Sequence, residues 1–207
     1  MEVLKKLLSR TNVNYIQLID READDLIASF IQQSTKERPE INFAIFTRDK
    51  DLLQLLSENT DILKYINNKI TLYTSHHFSQ EYNFLPKNYV DYLSLLGDKA
   101  DNVAGVKGIG PVSAKNLIQQ FQTVENIYQK LENLPENIKK LLENKQELVF
   151  RNKKIIKLEE NISLPSELYK NCDFGWEKWK NNEELQKFCL DNKFNTGEGF
   201  EPPISGL

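Results

Sequence analysis

Three closely spaced glycines that follow two aspartates restrict the possible folds of this chain more than any other feature. The stretch LLGDKADNVAGVKGIGPVSAKNL occupies residues 95–117 and contains Asp98 and Asp101. Downstream of these acids lie Gly105, Gly108 and Gly110. Val106 and Ile109 alternate with the glycines, so we expect a hairpin whose apolar side chains point inward and whose backbone amides point outward.

A helix is predicted to start at Pro111, directly after this hairpin, because proline is favoured at the first helical position. Outward N–H groups at a helix start form a cradle that suits an anion such as a phosphate. Lys107 and Lys115 would add positive charge beside it. We therefore expect the hairpin to hold a phosphodiester while acidic residues nearby bind metal.

The composition is that of an ordinary globular chain. Of 207 residues, 40% are hydrophobic and 28% are charged, which suits one domain or one core with an appended lobe. No apolar run reaches membrane-spanning length and the first residues lack the layout of a secretory signal, so no membrane partner is expected. Cys172 and Cys189 lack the spacing of a zinc site, and such thiols predict a reducing, cytoplasmic location.

The formal net charge is −3, which argues against a protein coated in basic surface. Nucleic-acid binding is still compatible with this charge if the basic residues gather on one face and the acids gather in a site. The order of charges along the chain allows such a separation. Acids concentrate between Asp20 and Asp101, while lysines and arginines recur from Lys99 to Lys157.

Two acidic groups follow predicted strands at residues 15–19 and 41–46, which a helix joins in a βαβ layout with a parallel sheet. The acids of these groups are Glu22, Asp24, Asp25, Asp49 and Asp51. In parallel sheets ligands bind where strands end and helices begin, so we expect the two groups to share one rim. Taken separately they would be ordinary acids of a first helical turn. As a convergent set they would repel one another unless cations were bound.

The remaining patterns predict hairpins and helices. Residues 61–65 and 69–73 predict a β-hairpin around Asn67-Asn68, and Pro86 predicts a helix that ends at Gly97. Residues 138–158 form one long amphipathic segment rich in lysine. Its basic residues are either a solvated face or a flank of the glycine hairpin that follows the phosphates of a nucleic acid.

Three ordered motifs carry a family likeness. They are EADDLIASF at 22–30, TRDKDLLQLL at 47–56 and LLGDKADNVAGVKGIGPVSAKNLI at 95–118. Together they resemble the 5′–3′ exonuclease domain of bacterial DNA polymerase I and, more broadly, the flap endonuclease family. The resemblance implies an α/β fold with a PIN-like parallel-sheet core, N-terminally incomplete, and a helical C-terminal lobe containing a helix–three-turn–helix DNA-binding motif. It implies a core at 1–85, a lobe at 86–165 and a C-terminal extension at 166–207.

The resemblance also implies roles for individual residues. Catalysis would depend on Asp24, Asp49 and Asp98. A first metal ion would be held by Glu22, Asp24 and Asp25, and a second by Asp49, Asp51, Asp98 and Asp101. DNA would be bound by Gly105, Lys107, Gly108, Gly110, Ser113 and Lys115.

The implied cofactors are two Mg²⁺ or Mn²⁺ ions, which suit hard carboxylate oxygens, with K⁺ as a further candidate at the glycine hairpin. The implied activity is two-metal hydrolysis of DNA phosphodiesters at 5′ ends, flaps or nicks, as in DNA replication and repair. The implied partners are DNA and a DNA polymerase.

The chain departs from the family pattern at its start, where a first aspartate-bearing strand, a second metal-binding aspartate and a basic helical arch are not found. In one interpretation the missing residues lie on a separate chain or have been lost, and this chain alone has impaired activity. In the other, the chain binds branched or nicked DNA without cutting it. Retention of all seven acids favours the first interpretation. An ordinary α/β domain would require the three motifs to coincide by chance.

Overall fold

The computed structural model describes residues 15–66 and 69–166, together with residues 3, 5, 6, 8 and 168. The helices of this part are α1 (Ala23–Glu37), α2 (Ser75–Tyr82), α3 (Tyr89–Leu96), α4 (Pro111–Phe121), α5 (Val124–Gln129), α6 (Glu136–Leu142) and α7 (Gln146–Ile156). The strands are β1 (Phe43–Phe46), β2 (Thr60–Ile66), β3 (Lys69–Tyr73), β4 (Gly97–Asp98) and β5 (Val103–Ala104). Short 3₁₀ turns occur at Asp51–Leu55, Pro86–Asn88 and Leu131–Asn133. The predicted extension at 166–207 lies almost wholly outside the described residues.

The first half of the described chain contains a three-stranded sheet in the order β1-β2-β3. β1 runs parallel to β2, with Phe43 opposite Thr60, and β3 runs antiparallel to β2, with Ile66 opposite Lys69. The predicted β-hairpin around residues 67–68 is therefore confirmed. The sheet is mixed, with one parallel pair and one antiparallel pair.

The strand predicted at residues 15–19 is wrong. Residues 15–18 are irregular in the structure, although Ile16 and Leu18 do point the same way, against Leu26, Ile162 and Leu164. Alternation of apolar residues shows only that one side of a segment is buried. Here that side is covered by α1 and by residues 162–164, so Ile16 and Leu18 are packed without the segment pairing in a sheet.

Helix α3 occupies the centre of the second half, where it packs against α4, α5 and α7. Residues 89–95 are all buried, so this helix is enclosed by the protein on nearly every side. As predicted, Pro86 begins the helical turn before it and Gly97 ends it, with a φ of 75° that favours glycine. The main apolar core therefore joins the sheet and the helices, from Ile45 and Ile62 to Leu142 and Val149.

The single amphipathic segment predicted at 138–158 is two helices, α6 and α7, with a break at residues 143–145. Leu142 of α6 and Val149 of α7 are both fully buried, so both helices contribute to the core. Among the described residues, none of the helices is both long enough and apolar enough to cross a lipid bilayer.

Candidate metal centre and phosphate-binding hairpin

The start of α1 supplies the first acidic group. Glu22 is the residue before the helix, and Asp24 and Asp25 lie in its first turn, as predicted from the sequence. Negative charge is favoured there by the helix dipole. Asp24 Oδ1 accepts a hydrogen bond from the Asp25 N–H at 2.8 Å, and Asp25 Oδ1 accepts one from the Glu159 N–H at 2.7 Å. Asp25 is thus already bound to a segment far along the chain.

The second acidic group lies in the loop that follows β1. Thr47 Oγ1 accepts a hydrogen bond from the Asp49 N–H at 3.0 Å, and Asp49 Oδ1 accepts one from the Asp51 N–H at 3.0 Å. Each polar side chain thereby holds the backbone two residues ahead, a local pattern typical of Asp and Thr in turns. The loop is consequently bent so that both carboxylates remain close to the carboxyl end of the strand.

The third acidic group comes from the helical half of the molecule. Asp98 lies in β4, opposite Val103 of β5, and Asp101 lies in the turn between these two short strands. Asp98 Oδ1 accepts a hydrogen bond from the Ala100 N–H at 2.6 Å. The turn includes Asn102 at a φ of 57°, a left-handed conformation that asparagine tolerates better than most residues.

The three groups converge. Asp51, Asp98 and Asp101 each offer an oxygen within 4.8 Å of the other two. A cavity of about 730 Å³ is bordered by the acids Glu22, Asp24, Asp25, Asp49, Asp51 and Asp101. An adjoining cavity of about 720 Å³ is bordered by Asp49, Asp51, Asp98 and Asp101. The structure therefore brings all seven sequence-predicted acids to the walls of two cavities that share three of them.

Asp51 carries the strongest electrostatic perturbation of the centre. Burial, followed by repulsion from Asp49, Asp98 and Asp101, raises the pKa of its carboxyl to about 6. Its Oδ1 is buried and has no hydrogen-bond partner. A buried carboxylate oxygen without a partner, facing other carboxylates, is a site where a cation would be stabilised. The donor set consists of oxygens, which fits a hard divalent ion, so this acidic group could bind metal.

Sequence reasoning did not place three other residues at the cavity wall. Lys154, Lys157 and Glu159 all line the larger cavity. The two lysines belong to the segment for which the sequence left a solvated face and a phosphate-following flank as alternatives. Their position beside the acids was not recognisable, because the helix and the loops meet only through the tertiary fold.

The apolar side chains of the glycine hairpin point inward as predicted, but the N–H groups of Val106 and Ile109 donate to carbonyls of the protein and do not point outward. Val106 and Ile109 are buried, and the hairpin is closed by a hydrogen bond from the Ile109 N–H to the Val106 carbonyl at 3.0 Å. A Cβ on Gly105 would lie 1.9 Å from the Leu96 carbonyl oxygen, so the backbone passes too close for any other residue. Gly108 has a φ of 93°, which favours glycine.

The end of the hairpin leads directly into α4. Gly110 is the residue before the helix, and a Cβ there would meet no atom within 4 Å. The space beside Gly110 at the start of the helix is therefore open. Lys107 is exposed, Ser113 is half-buried, and the Lys115 ammonium donates to the Glu81 carbonyl at 2.6 Å. Lys115 is thus partly engaged at the end of α2, whereas Lys107 is exposed beside the hairpin.

Two family models together match most of the chain. Residues 1–83 match the model described as 5′-3′ exonuclease, N-terminal resolvase-like domain, and residues 84–181 match 5′-3′ exonuclease, C-terminal SAM fold. The chain is similar to the 5′-3′ exonuclease of Mycoplasma genitalium, at 36% identity over 178 residues that cover 84% of this chain and 59% of that protein. It is also similar to DNA polymerase I of Borreliella burgdorferi, at 34% identity over 164 residues that cover 78% of this chain and 18% of that protein.

The chain thus spans only 18% to 59% of the length of these two relatives. In three dimensions it resembles the bacteriophage T5 flap endonuclease in a pseudo-enzyme–product complex with DNA and metal ions. The TM-score is 0.59 at 23% identity, with 85% of this chain and 60% of that chain covered. This likeness and the family models confirm the fold class and the family resemblance predicted from the sequence.

Proposed function

This chain belongs to the 5′–3′ exonuclease family, and on that premise we propose that it takes part in metal-dependent hydrolysis of DNA phosphodiesters at 5′ ends, flaps or nicks. The observation that carries the proposal is the convergence of seven acids from three separate segments on two adjoining cavities. Seven carboxylates placed this close together repel one another unless cations neutralise their charge. A purely structural role would leave the repulsion at Asp51 unexplained.

The acids would hold two Mg²⁺ or Mn²⁺ ions. Glu22 and Asp24 face the larger cavity and would serve the first ion, while the group of Asp51, Asp98 and Asp101 would serve the second. When bound, the pair of ions would activate a water molecule and stabilise the departing oxygen of the phosphodiester. Asp49 would orient Asp51, because its Oδ1 already accepts the Asp51 N–H.

The glycine hairpin would bind the sugar–phosphate backbone of DNA. The open space beside Gly110 at the start of α4 and the exposed Lys107 favour a phosphate there. Ser113 and Lys115 lie on the first turns of the same helix. The carbonyls of the hairpin would be the ligands of K⁺, which is a further candidate cofactor.

A division into a core at 1–85 and a lobe at 86–165 is part of this proposal, with the cleavage centre between them. The predicted cytoplasmic location and a DNA polymerase partner are likewise proposals that follow from a DNA substrate.

The decisive experiment incubates the full chain with a 5′-flap or nicked duplex, in Mg²⁺ or Mn²⁺ and in chelator. We expect cleavage that requires the ion and falls about a hundredfold or more in Asp98→Asn. Asp61→Asn is the matched control, since Asp61 on β2 is not among the residues that line the two cavities. Binding without cleavage, with a steep salt dependence, would instead support a non-catalytic binder of branched DNA.

A further inference from the structure

One face of α1 carries a row of polar side chains at intervals of four residues, Asp25, Ser29 and Gln33. Residues this far apart lie one above another on a helix. An extended segment that follows α7, residues 158–164, lies along this row; we refer to it as the strap. The polar row and the strap are separated by more than 100 positions in the sequence but are neighbours in the fold.

Every side chain of the row binds the main chain of the strap. Asp25 Oδ1 accepts the Glu159 N–H at 2.7 Å, and Ser29 Oγ donates to the Glu159 carbonyl at 2.9 Å. Ser29 Oγ also accepts the Ile162 N–H at 3.1 Å. Gln33 donates to the Ile162 carbonyl at 2.6 Å.

The other bonds and contacts of the strap show that it is firmly held. Gln33 Oε1 accepts the Leu164 N–H at 3.3 Å, and Gln54 Oε1 accepts the Leu158 N–H at 3.1 Å. Leu158, Ile162 and Leu164 are buried. Ser29 is fully buried, so its hydroxyl depends on the strap for both of its hydrogen bonds. The main chain of the strap thus provides the hydrogen-bond partners of the polar side chains of α1.

The strap also forms part of the wall of the acidic cavity. Leu158 and Glu159 line it together with Glu22 and Asp24. The bond from the Glu159 N–H to Asp25 therefore sets the distance between the first turn of α1 and the wall formed by the strap. Asp25 Oδ1 accepts an amide of the distant strap, whereas Asp24 Oδ1 accepts only the N–H of the adjacent Asp25.

We propose that Asp25 acts as a positioning residue of the metal centre. With Ser29 and Gln33 it anchors the strap, and this contact holds the first turn of α1 so that Glu22 and Asp24 face the cavity. The assignment rests on the proposed metal-dependent function. It gives one of the three acids of the first group the role of fixing the position of the other two.

The test measures two quantities on the full chain: Mn²⁺ affinity by calorimetry, and hydrogen exchange of the Glu159 and Ile162 amides by NMR. Asp25→Asn keeps a carbonyl oxygen for the Glu159 N–H but loses the charge. We expect its Mn²⁺ affinity to stay within about twofold and its amide protection to be unchanged. Asp24→Asn should lose about tenfold or more in Mn²⁺ affinity with the strap still protected.

Variants that loosen the strap should affect the metal centre from a distance. Gln33→Ala lies two helical turns from Asp25, and we expect about tenfold faster exchange at Ile162 together with a severalfold weaker Mn²⁺ affinity. Asp25→Ala should show the same pair of effects at Glu159. Gln32→Ala is the control and should change neither quantity, because the Gln32 Oε1 accepts from Lys36 of the same helix.

The proposal would be overturned if Asp25→Asn weakened Mn²⁺ binding as much as Asp24→Asn does while the strap stayed protected. It would equally be overturned if Gln33→Ala and Asp25→Ala left amide exchange in the strap unchanged. Absence of Mn²⁺ binding by the parent chain would count against the proposed function, and the exchange rates alone would then decide whether Asp25 anchors the strap.

Discussion

At the scale of single residues, Asp51 and the glycines of the hairpin show how chemistry is concentrated at a few positions. Asp51 combines burial with the charges of three neighbouring carboxylates. The glycines differ from one another, since Gly105 is required by a close backbone contact, Gly108 by its dihedral angle and Gly110 by neither. Gly110 is therefore the position at which folding and ligand binding are separable.

Asp51→Asn should stabilise the metal-free protein at neutral pH. The folded state raises the pKa of this carboxyl from 3.8 to about 6, so the folded form binds more protons than the unfolded form in that window. The free energy of unfolding of the parent should consequently fall as pH rises from about 4 to about 6, and Asp51→Asn should lack this fall. We expect a gain on the order of 1 kcal/mol at neutral pH, after allowance for solvent screening of a half-exposed group.

Thermal unfolding in chelator, at pH values on either side of that window, measures this difference. Saturating Mn²⁺ should reverse the order, because only the parent retains the ligand. A parent chain whose stability in chelator did not depend on pH across the window would contradict the prediction.

Gly110→Ala should weaken DNA binding without harming the fold. Its backbone, at φ −97° and ψ 178°, is open to any residue, and a methyl group would meet no atom within 4 Å. The methyl would project into the open space in front of α4, where we expect a phosphate, and cut DNA affinity about fivefold or more. Stability should change by less than about 1 kcal/mol.

Gly105→Ala is the contrasting variant. A methyl there would lie 1.9 Å from the Leu96 carbonyl oxygen, so we expect loss of several kcal/mol or failure to fold. Fluorescence anisotropy with a nicked duplex and thermal unfolding together measure both effects. Unchanged DNA affinity in Gly110→Ala would argue that the phosphate binds elsewhere.

At the scale of elements, α7 ties the helical half of the molecule together. Lys153 donates to Asp91 of α3 at 2.6 Å and to Glu125 of α5 at 2.8 Å. The adjacent Asn152 donates to the Ser94 carbonyl at 3.1 Å and to the Ala104 carbonyl at 2.8 Å. Because Ala104 belongs to β5, these bonds fix the strand pair that carries Asp98.

Lys153→Met should strongly destabilise the protein. Burial raises the pKa of Asp91, while the hydrogen bond from Lys153 opposes that shift, so the carboxylate depends on the ammonium. Removing one partner of such a pair leaves a buried charge uncompensated and costs about 3–5 kcal/mol. The hydrophobic stem of methionine keeps the packing of the lysine chain.

Lys140→Met is the matched control. Lys140 forms an exposed pair with Glu136 at 3.4 Å, and loss of this pair should cost less than about 0.5 kcal/mol. Urea unfolding of both variants gives the comparison. Similar losses in the two would show that Lys153 behaves as an ordinary surface lysine. The double variant Lys153→Met with Asp91→Asn should recover part of the loss.

At the scale of the whole molecule, the acidic centre links the two halves of the described chain. Glu22 and Asp24 come from α1, and Asp49 and Asp51 follow a strand of the sheet. Asp98 and Asp101 come from the strand pair beside the helices. An ion bound between them would hold both halves together, so metal binding is expected to stabilise the entire fold.

Divalent ions should therefore raise the unfolding temperature. At an ion concentration about a hundred times the dissociation constant, binding to the folded state alone adds about 2.7 kcal/mol. Asp98→Asn should lose most of this increment, and chelator should remove it from the parent. Calorimetric scans over a series of Mn²⁺ concentrations measure the effect. An unfolding temperature independent of Mn²⁺ would show that the acids hold no ion in the folded chain.

Much of this protein follows from local sequence patterns. The acids at the start of α1, the hairpin pairing of β2 with β3 and the helix start at Pro111 each depend on a few adjacent residues, whose backbone preferences act without help from the rest of the chain. The family motifs likewise identified the seven acids and the glycine hairpin.

Only the tertiary structure decided the features that depend on contacts between distant segments. The apolar alternation at 15–19 packs against a helix and the strap instead of pairing in a sheet, and the segment at 138–158 is interrupted at residues 143–145. Lys153 is paired inside the helical half although its sequence context is that of a solvated lysine. Asp25 lies 134 positions from the amide it binds. Contacts of this kind leave no periodic signal in the chain, because their energy depends on which surfaces the fold brings together.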